Sequence, residues 1–346
     1  MSEGLDFQFK ALEAEDLKRF AKFYNLRPNR TADSVPLESF LWSGFYNARA
    51  AVLKYEGREI GLLWLYGTEE EPFAGMPLCS DENLPCCFGL MECYFNKVLR
   101  KPLVIKLADE EAIRTLGLDP ARYTVREEED FKDYLYDGEA LRTLAGRKLH
   151  KKKNHYNSFV KEYEGRYEYR ALTPADRGEV FRFLDRWRSS KGENVEQHLD
   201  PEVEGIHEIL RNLEIIEAKM GGIFIDGRLE AFSIGSYNAA EDMAVIHIEK
   251  ANPEINGLYQ AINRDFLVNE FPDVSLINRE DDVGLEGLRK AKLSYFPVGY
   301  ARKYLVQQKE LPSEAGGCAL LEQETGRLKD QAAESGADPG QGPAGD

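Results

Sequence analysis

Acidic side chains crowd the end of one apolar run. Val274, Leu276 and Ile277 lead into Asn278-Arg279-Glu280-Asp281-Asp282-Val283-Gly284, and a basic stretch, Gly287-Leu288-Arg289-Lys290-Ala291-Lys292, follows. A carboxylate packed beside others and partly withdrawn from water has its pKa raised toward the range of a general base. Glu280 and Asp282 are candidates for that work, taking a proton from an attacking amine or hydroxyl. Capping of the next helix is an equally physical use for one of these acids. His247, Glu249 and Lys250 end a neighbouring alternating run, which places Glu249 as a further catalytic candidate across the same crevice. Asn278, Lys250, Arg289 and Lys292 are the substrate-binding candidates, since Arg289 and Lys292 could neutralise a phosphate or a carboxylate. Tyr304, on the last strand, could return a proton to a leaving group, with half-buried packing as its plain alternative. No Ser-His-Asp order, His-Glu-x-x-His pair or Walker loop is present, and no metal-ligand spacing either.

These side chains need a strand that ends in an open crevice and a helix that starts beside it. Residues 274–278 read as the strand, 285–294 as the helix and 298–306 as a closing strand. Ahead of them the pattern predicts helices over 173–189 and 203–213, then a hairpin, 222–225 and 229–237, around Asp226-Gly227-Arg228. A strand over 244–249 and a long helix over 257–271 complete that half. The first half runs in the same order: a helix over 12–23, a hairpin around Glu56-Gly57-Arg58, and a strand over 73–78. A helix over 84–99, a strand over 103–107, a helix over 110–116 and two closing strands, 123–126 and 131–135, follow. The turns Tyr55-Glu56-Gly57-Arg58 and Ile225-Asp226-Gly227-Arg228 match in type and place. The expected fold is therefore α/β with mixed sheets, one unit duplicated at a period of roughly 170 residues.

Between the halves, residues 141–163 keep helical spacing of apolar positions and hold no acid between Glu139 and Glu162. Arg147, Lys148, Lys151, Lys152 and Lys153 give this segment a one-sided charge suited to a polyanion, or simply a solvated face. The chain as a whole is nevertheless acidic, with a net charge of −16, which argues against a general nucleic-acid coat and against DNA as a partner. Apolar residues make up 42% of the 346, enough for ordinary cores. No apolar run reaches the roughly 18–20 residues of a membrane span, and the first residues lack a signal peptide's pattern, so a cytoplasmic protein is expected. Cys79, Cys86, Cys87 and Cys93 lack zinc-type spacing and read as small packing residues. The expected organisation is a first domain over 1–140, a basic connecting helix over 141–165, a second domain with the cleft over 166–310, and a disordered Gly/Pro/Ala-rich tail over 311–346.

Gly287-Leu288-Arg289, Lys292, Pro297 and Tyr304-Leu305 resemble the closing motif of the C-terminal domain of phosphatidylglycerol lysyltransferases. The Asn278–Gly284 lead-in, Ile248-Glu249-Lys250 and Gly257-Leu258-Tyr259 with Asn263 look like the soluble bacterial branch of that family. The resemblance implies tandem GNAT-like acyltransferase domains, related to Fem peptidyltransferases, with the basic segment similar to the Fem interdomain helix. It implies transfer of an aminoacyl group from aminoacyl-tRNA to an amine or hydroxyl on a small molecule, lipid or peptide. Lys151–Lys153 would then meet the tRNA. An acyl-CoA-dependent N-acyltransferase and a catalytically inactive binding module are the alternatives. For CoA the pyrophosphate cradle is thin: 252–257 and 84–89 offer one glycine each.

Overall fold

The computed structural model describes residues 5–190, 199–311 and 321. The first half supplies β1 (Leu5–Asp6), β2 (Lys10–Ala11), α1 (Ala14–Tyr24), α2 (Pro36–Leu41), β3 (Arg49–Tyr55), β4 (Arg58–Gly67) and β5 (Pro72–Ala74). It continues with α3 (Leu84–Cys93), β6 (Val104–Asp109), α4 (Glu110–Leu116), β7 (Tyr123–Glu127) and β8 (Asp133–Asp137). Two helices connect the halves, α5 (Gly138–Thr143) and α6 (Gly146–Glu162). The second half has β9 (Tyr167–Ala171), α7 (Arg177–Ser189), α8 (Leu199–Arg211), β10 (Lys219–Ile225), β11 (Arg228–Asn238) and β12 (Met243–Ala251). Then come α9 (Leu258–Glu270), β13 (Leu276–Asn278), α10 (Glu286–Leu293), β14 (Gly299–Ala301) and β15 (Lys303–Gln308).

The duplication is visible in the order of elements. In each half a hairpin (β3–β4, β10–β11) leads to a strand, a helix and a second strand parallel to the first. Both hairpins turn through two residues with positive φ, Glu56 and Gly57 in one, Asp226 and Gly227 in the other. That is the type I′ geometry whose twist matches the strands it joins. The sheets are not finished within their own halves, however. One sheet runs β1-β3-β4-β5-β6-β15-β7, and the other runs β14-β8-β13-β12-β11-β10-β9. β8 leaves the first half to lie between β13 and β14, while β15 returns to lie between β6 and β7. The sequence led us to expect each closing strand beside its own copy; the two are exchanged, and residues 298–306 divide between both sheets.

The connection also differs from a single helix. Leu144 takes a left-handed conformation (φ 49) that ends α5, and α6 starts afresh after Ala145. Gly257, at the start of α9, lets α6 approach: a Cβ there would lie 2.3 Å from the His155 carbonyl oxygen. α1 and α2 pack with α7 and α8 of the second half, so the cores of the two copies are continuous across Leu17, Phe40, Val180 and Ile206. Cys79, Cys86 and Cys87 are buried in the core around α3, in the packing role expected. Of the expected tail, Leu321 is buried in that same core rather than free in solvent; the other residues beyond 311 lie outside the described residues.

Candidate active site

A cavity of about 1280 Å3 is lined by residues of both sheets and of α2, α6, α9 and α10. At its centre stands His247, on β12 and buried. Its Nδ1 lies 2.9 Å from Glu38 Oε2 and 2.9 Å from Glu280 Oε1, and its Nε2 lies 2.7 Å from Ser236 Oγ. Burial alone would disfavour an imidazolium, but the hydrogen bonds and charges of Glu280 and Glu38 outweigh it and raise the pKa to about 9. Burial also pushes Glu38 upward, yet His247 more than compensates and holds it ionised. Glu280 goes the other way: burial and the charge of Glu38 raise it well above the carboxylate range. The three ligand atoms lie within 4.8 Å of one another, close enough to surround a cation. With His247 protonated, as its raised pKa favours, its Nδ1–H points at both carboxylates.

A second buried cation adjoins the first group. Lys303, the first residue of β15, lies 3.0 Å from Asp33 and 3.0 Å from Asp133 at the start of β8, with Asp281 at 3.9 Å. The two exchanged strands thus meet in an ion pair at the cavity floor. Asp281 lines the cavity, and burial, opposed by Lys303 and reinforced by Asp133, raises its pKa to about 7. Lys292 reaches under the same loop and donates to the carbonyls of Arg279 and Asp281. Its own pKa is lowered by burial despite the nearby acids.

Toward α6, Arg279 donates to Glu249 at 3.0 Å and lies over the Tyr295 ring at 4.8 Å, while Asn263 Nδ2 holds the other Glu249 oxygen at 2.8 Å. Arg279 Nη1 is buried without a hydrogen-bond partner. Lys152 enters the cavity beside it, its Nζ 4.2 Å from the Tyr295 centroid. Burial and the charge of Arg279 lower its pKa. On the opposite side the first sheet and the segment after α2 present aromatic rings. Tyr66 and Phe73 stack (5.3 Å, 23°), and Tyr46 stands edge-on to both, at 6.3 and 5.8 Å.

The structure gathers some of the sequence candidates and separates others. Glu249, Glu280, Lys250 and Lys292 line the cavity, Lys250 being paired with Glu202 at 2.5 Å. Asp282 and Arg289 do not; they bind each other in two contacts, 2.8 and 2.7 Å, with Tyr134 on the same carboxylate at 2.5 Å. Asp282 also accepts from the Gly284 N–H, the turn-fixing use weighed against catalysis. Asn278 is fully buried, bonded to the Arg30 carbonyl and Asp133, and it ties the loop rather than facing the cavity. Tyr304 sits on β15 within the first sheet, its hydroxyl 3.5 Å from Glu110. Arg147, Lys148, Lys151 and Lys153 are exposed along α6, and Lys152 alone of the five lines the cavity. Glu38, Asp33 and Lys303 were not legible as site residues. Their partners lie far along the chain, Lys303 from Asp33 and Asp133 and Glu38 from His247, and only the assembled sheets bring them together.

The model of the phosphatidylglycerol lysyltransferase C-terminal family matches residues 41–307. The chain belongs to that family. A conserved protein of unknown function from Bacteroides thetaiotaomicron is similar to it at 28% identity, covering 88% of this chain and 100% of the other, with a TM-score of 0.78. L-PGS from Bacillus licheniformis shares the fold at 15% identity, covering 90% and 98%, with a TM-score of 0.62. An uncharacterised protein of Mycoplasmoides gallisepticum, MYCGA3080, is 26% identical over 184 residues, 52% of this chain, which spans 57% of that relative's length. The family is the one the closing motif resembled, and the architecture is the duplicated α/β one with mixed sheets that was expected. No helix among the described residues is long and apolar enough to cross a membrane.

Proposed function

We propose that this protein moves an aminoacyl group from an aminoacyl-tRNA to an amine or hydroxyl acceptor within the cavity. The observation that carries the reading is the Arg279–Glu249–Lys152 group where α6 borders the cavity. It contains a buried guanidinium N–H without a partner, beside a half-buried lysine and at the foot of a basic helix. A buried donor left unmet is costly, by about 1–3 kcal/mol, unless a ligand meets it. The carbonyl oxygen of an aminoacyl ester would meet it, and the exposed cations of α6 suit the phosphates of the tRNA end.

The chemistry then follows from the neighbouring groups. The acceptor nitrogen or oxygen attacks the ester carbonyl, and Arg279 Nη1 stabilises the charge that develops on the carbonyl oxygen. The acceptor's proton passes to Asp281, which is poised near neutrality and faces the cavity. Collapse forms the new amide or ester, breaks the ribose ester C–O bond and returns the proton to the ribose hydroxyl. Glu249 holds Arg279 in place, and the Glu38–His247–Glu280 group fixes the floor. Acyl-CoA as donor has less support, because the one glycine at the head of α9, Gly257, is covered by the His155 carbonyl. Incubation with a mixed pool of radiolabelled aminoacyl-tRNAs and amine or hydroxyl acceptors tests the reading. Protein-dependent transfer is expected; absence of deacylation of every aminoacyl-tRNA, or turnover of acyl-CoA instead, would overturn it.

A further inference from the structure

The aromatic side of the cavity has no part in that reaction scheme. Tyr46 stands nearly perpendicular to the stacked faces of Tyr66 and Phe73, so the three rings form an open corner. Ring faces attract cations through their quadrupole, and one is already used this way: Lys106 Nζ lies 4.2 Å from the Phe73 centroid. The corner adjoins an acidic group, since Tyr46 has its hydroxyl pKa pushed up to about 12 by burial and by the charges of Asp33, Glu38 and Asp281. Within that group five carboxyls (Asp33, Glu38, Asp133, Glu280, Asp281) contact two cations, His247 and Lys303. Lys292 adds a third cation nearby. Asp33 is the most open of them, its side chain 39% exposed against 0–19% for the others. Asp33 lies just before α2 and Tyr46 shortly after it, so one short segment carries carboxylate and ring together.

We infer that the Tyr46–Tyr66–Phe73 corner, with Asp33 and Glu38, is a subsite for an ammonium group of the acceptor. Resting on the transferase reading above, this makes the acceptor a cationic amine with at least two nitrogens. One stays protonated against the rings and carboxylates, and the other, nearer Asp281, gives up its proton and attacks. The aminoacyl group's own ammonium is the competing source, but it would enter from α6 with the donor, on the opposite side.

Direct binding to the full chain, in buffer with EDTA and without any donor, tests the inference. By calorimetry, 1,5-diaminopentane should bind while 1,5-pentanediol, the same length without charge, should not. Tyr46→Leu and Asp33→Asn should each weaken the diamine at least tenfold, and Tyr46→Phe, which keeps the ring, should retain it. Equal binding of the diol, undiminished binding in Tyr46→Leu, or tighter binding of alaninamide, which mimics the donor's ammonium, would overturn the inference. Transfer to a neutral acceptor with no diamine binding would sink the inference and leave the transferase reading standing. Diamine binding without transfer from any aminoacyl-tRNA would do the reverse.

Discussion

Asp281, Arg279 and His247 carry three separable expectations. With Asp281 as the base, its carboxylate must be ionised, so the transfer rate should climb as pH rises through about 7 and level above it. Asp281→Asn should flatten that profile and cost roughly 10²–10⁴-fold in rate, read by single-turnover transfer across pH 5.5–8.5. Arg279→Gln removes the buried donor and should lower the rate by about 10²–10³-fold. Because Glu249 then loses its cationic partner and keeps only Asn263, a thermal melt must accompany the rate, and Glu249→Gln in the same background separates the two effects. His247 bears on stability. Its pKa rises from the ordinary 6.5 to about 9 on folding, so the folded state holds a proton that the unfolded chain releases. That contribution is fully present below pH 6.5 and lost as pH rises through 9. Urea melts of the wild type should therefore weaken from pH 6.5 to 9, and His247→Gln should remove much of that slope. Asp281, also raised, contributes in the same direction between pH 4 and 7. At this scale the acids at 280–282 were readable as a group, but not that Glu280 and Asp281 line the cavity while Asp282 does not. Three neighbouring carboxylates on a loop point in different directions. The left-handed turn at Glu280 (φ 57) sends Asp282 away to Arg289, a backbone detail that composition does not record.

The elements show a similar division. Hairpins, α9 and the strand before the acidic loop were legible because local turn chemistry and period decide them. The break between α5 and α6 was not, since Leu144 in a left-handed conformation looks in sequence like any helical leucine. α6 itself is positioned by packing on α9 through Gly257, which leaves five of its six lysines and arginines in solvent. If these cations meet tRNA, Lys148→Glu with Lys151→Glu should weaken tRNA binding at least tenfold and make the salt dependence shallower. Filter binding between 50 and 300 mM salt reads both, and an unchanged slope would remove α6 from the interface. The same double variant should leave the melting temperature nearly as it was, because exposed charges on a solvated face contribute little to stability.

Across the whole molecule, the short strands 133–137 and 303–308 are buried along most of their length, and their sequences do not say which sheet they join. That is why the exchange of β8 and β15 stayed hidden while the duplication did not. The exchange has a consequence for how the chain comes to be made. The first sheet lacks its strand between β6 and β7 until residue 308 has been synthesised, nearly the whole length of the described chain after β3. Domains usually fold as they emerge from the ribosome, first half before second. Here the early half must wait with an open edge, and pairing over so long a separation is slow. A fragment of residues 1–140 should accordingly be insoluble or lack cooperative melting, while co-expression with 141–346 should recover soluble, active complex. Deletion of residues after 302 should be as damaging as loss of a whole half, despite removing one strand of the described fold. Lys303, which pairs with Asp133 at the crossing, is also placed in the last of the described strands. The cavity floor is thus completed only once residue 303 has been made, and a nascent chain shorter than that would carry no partly built site.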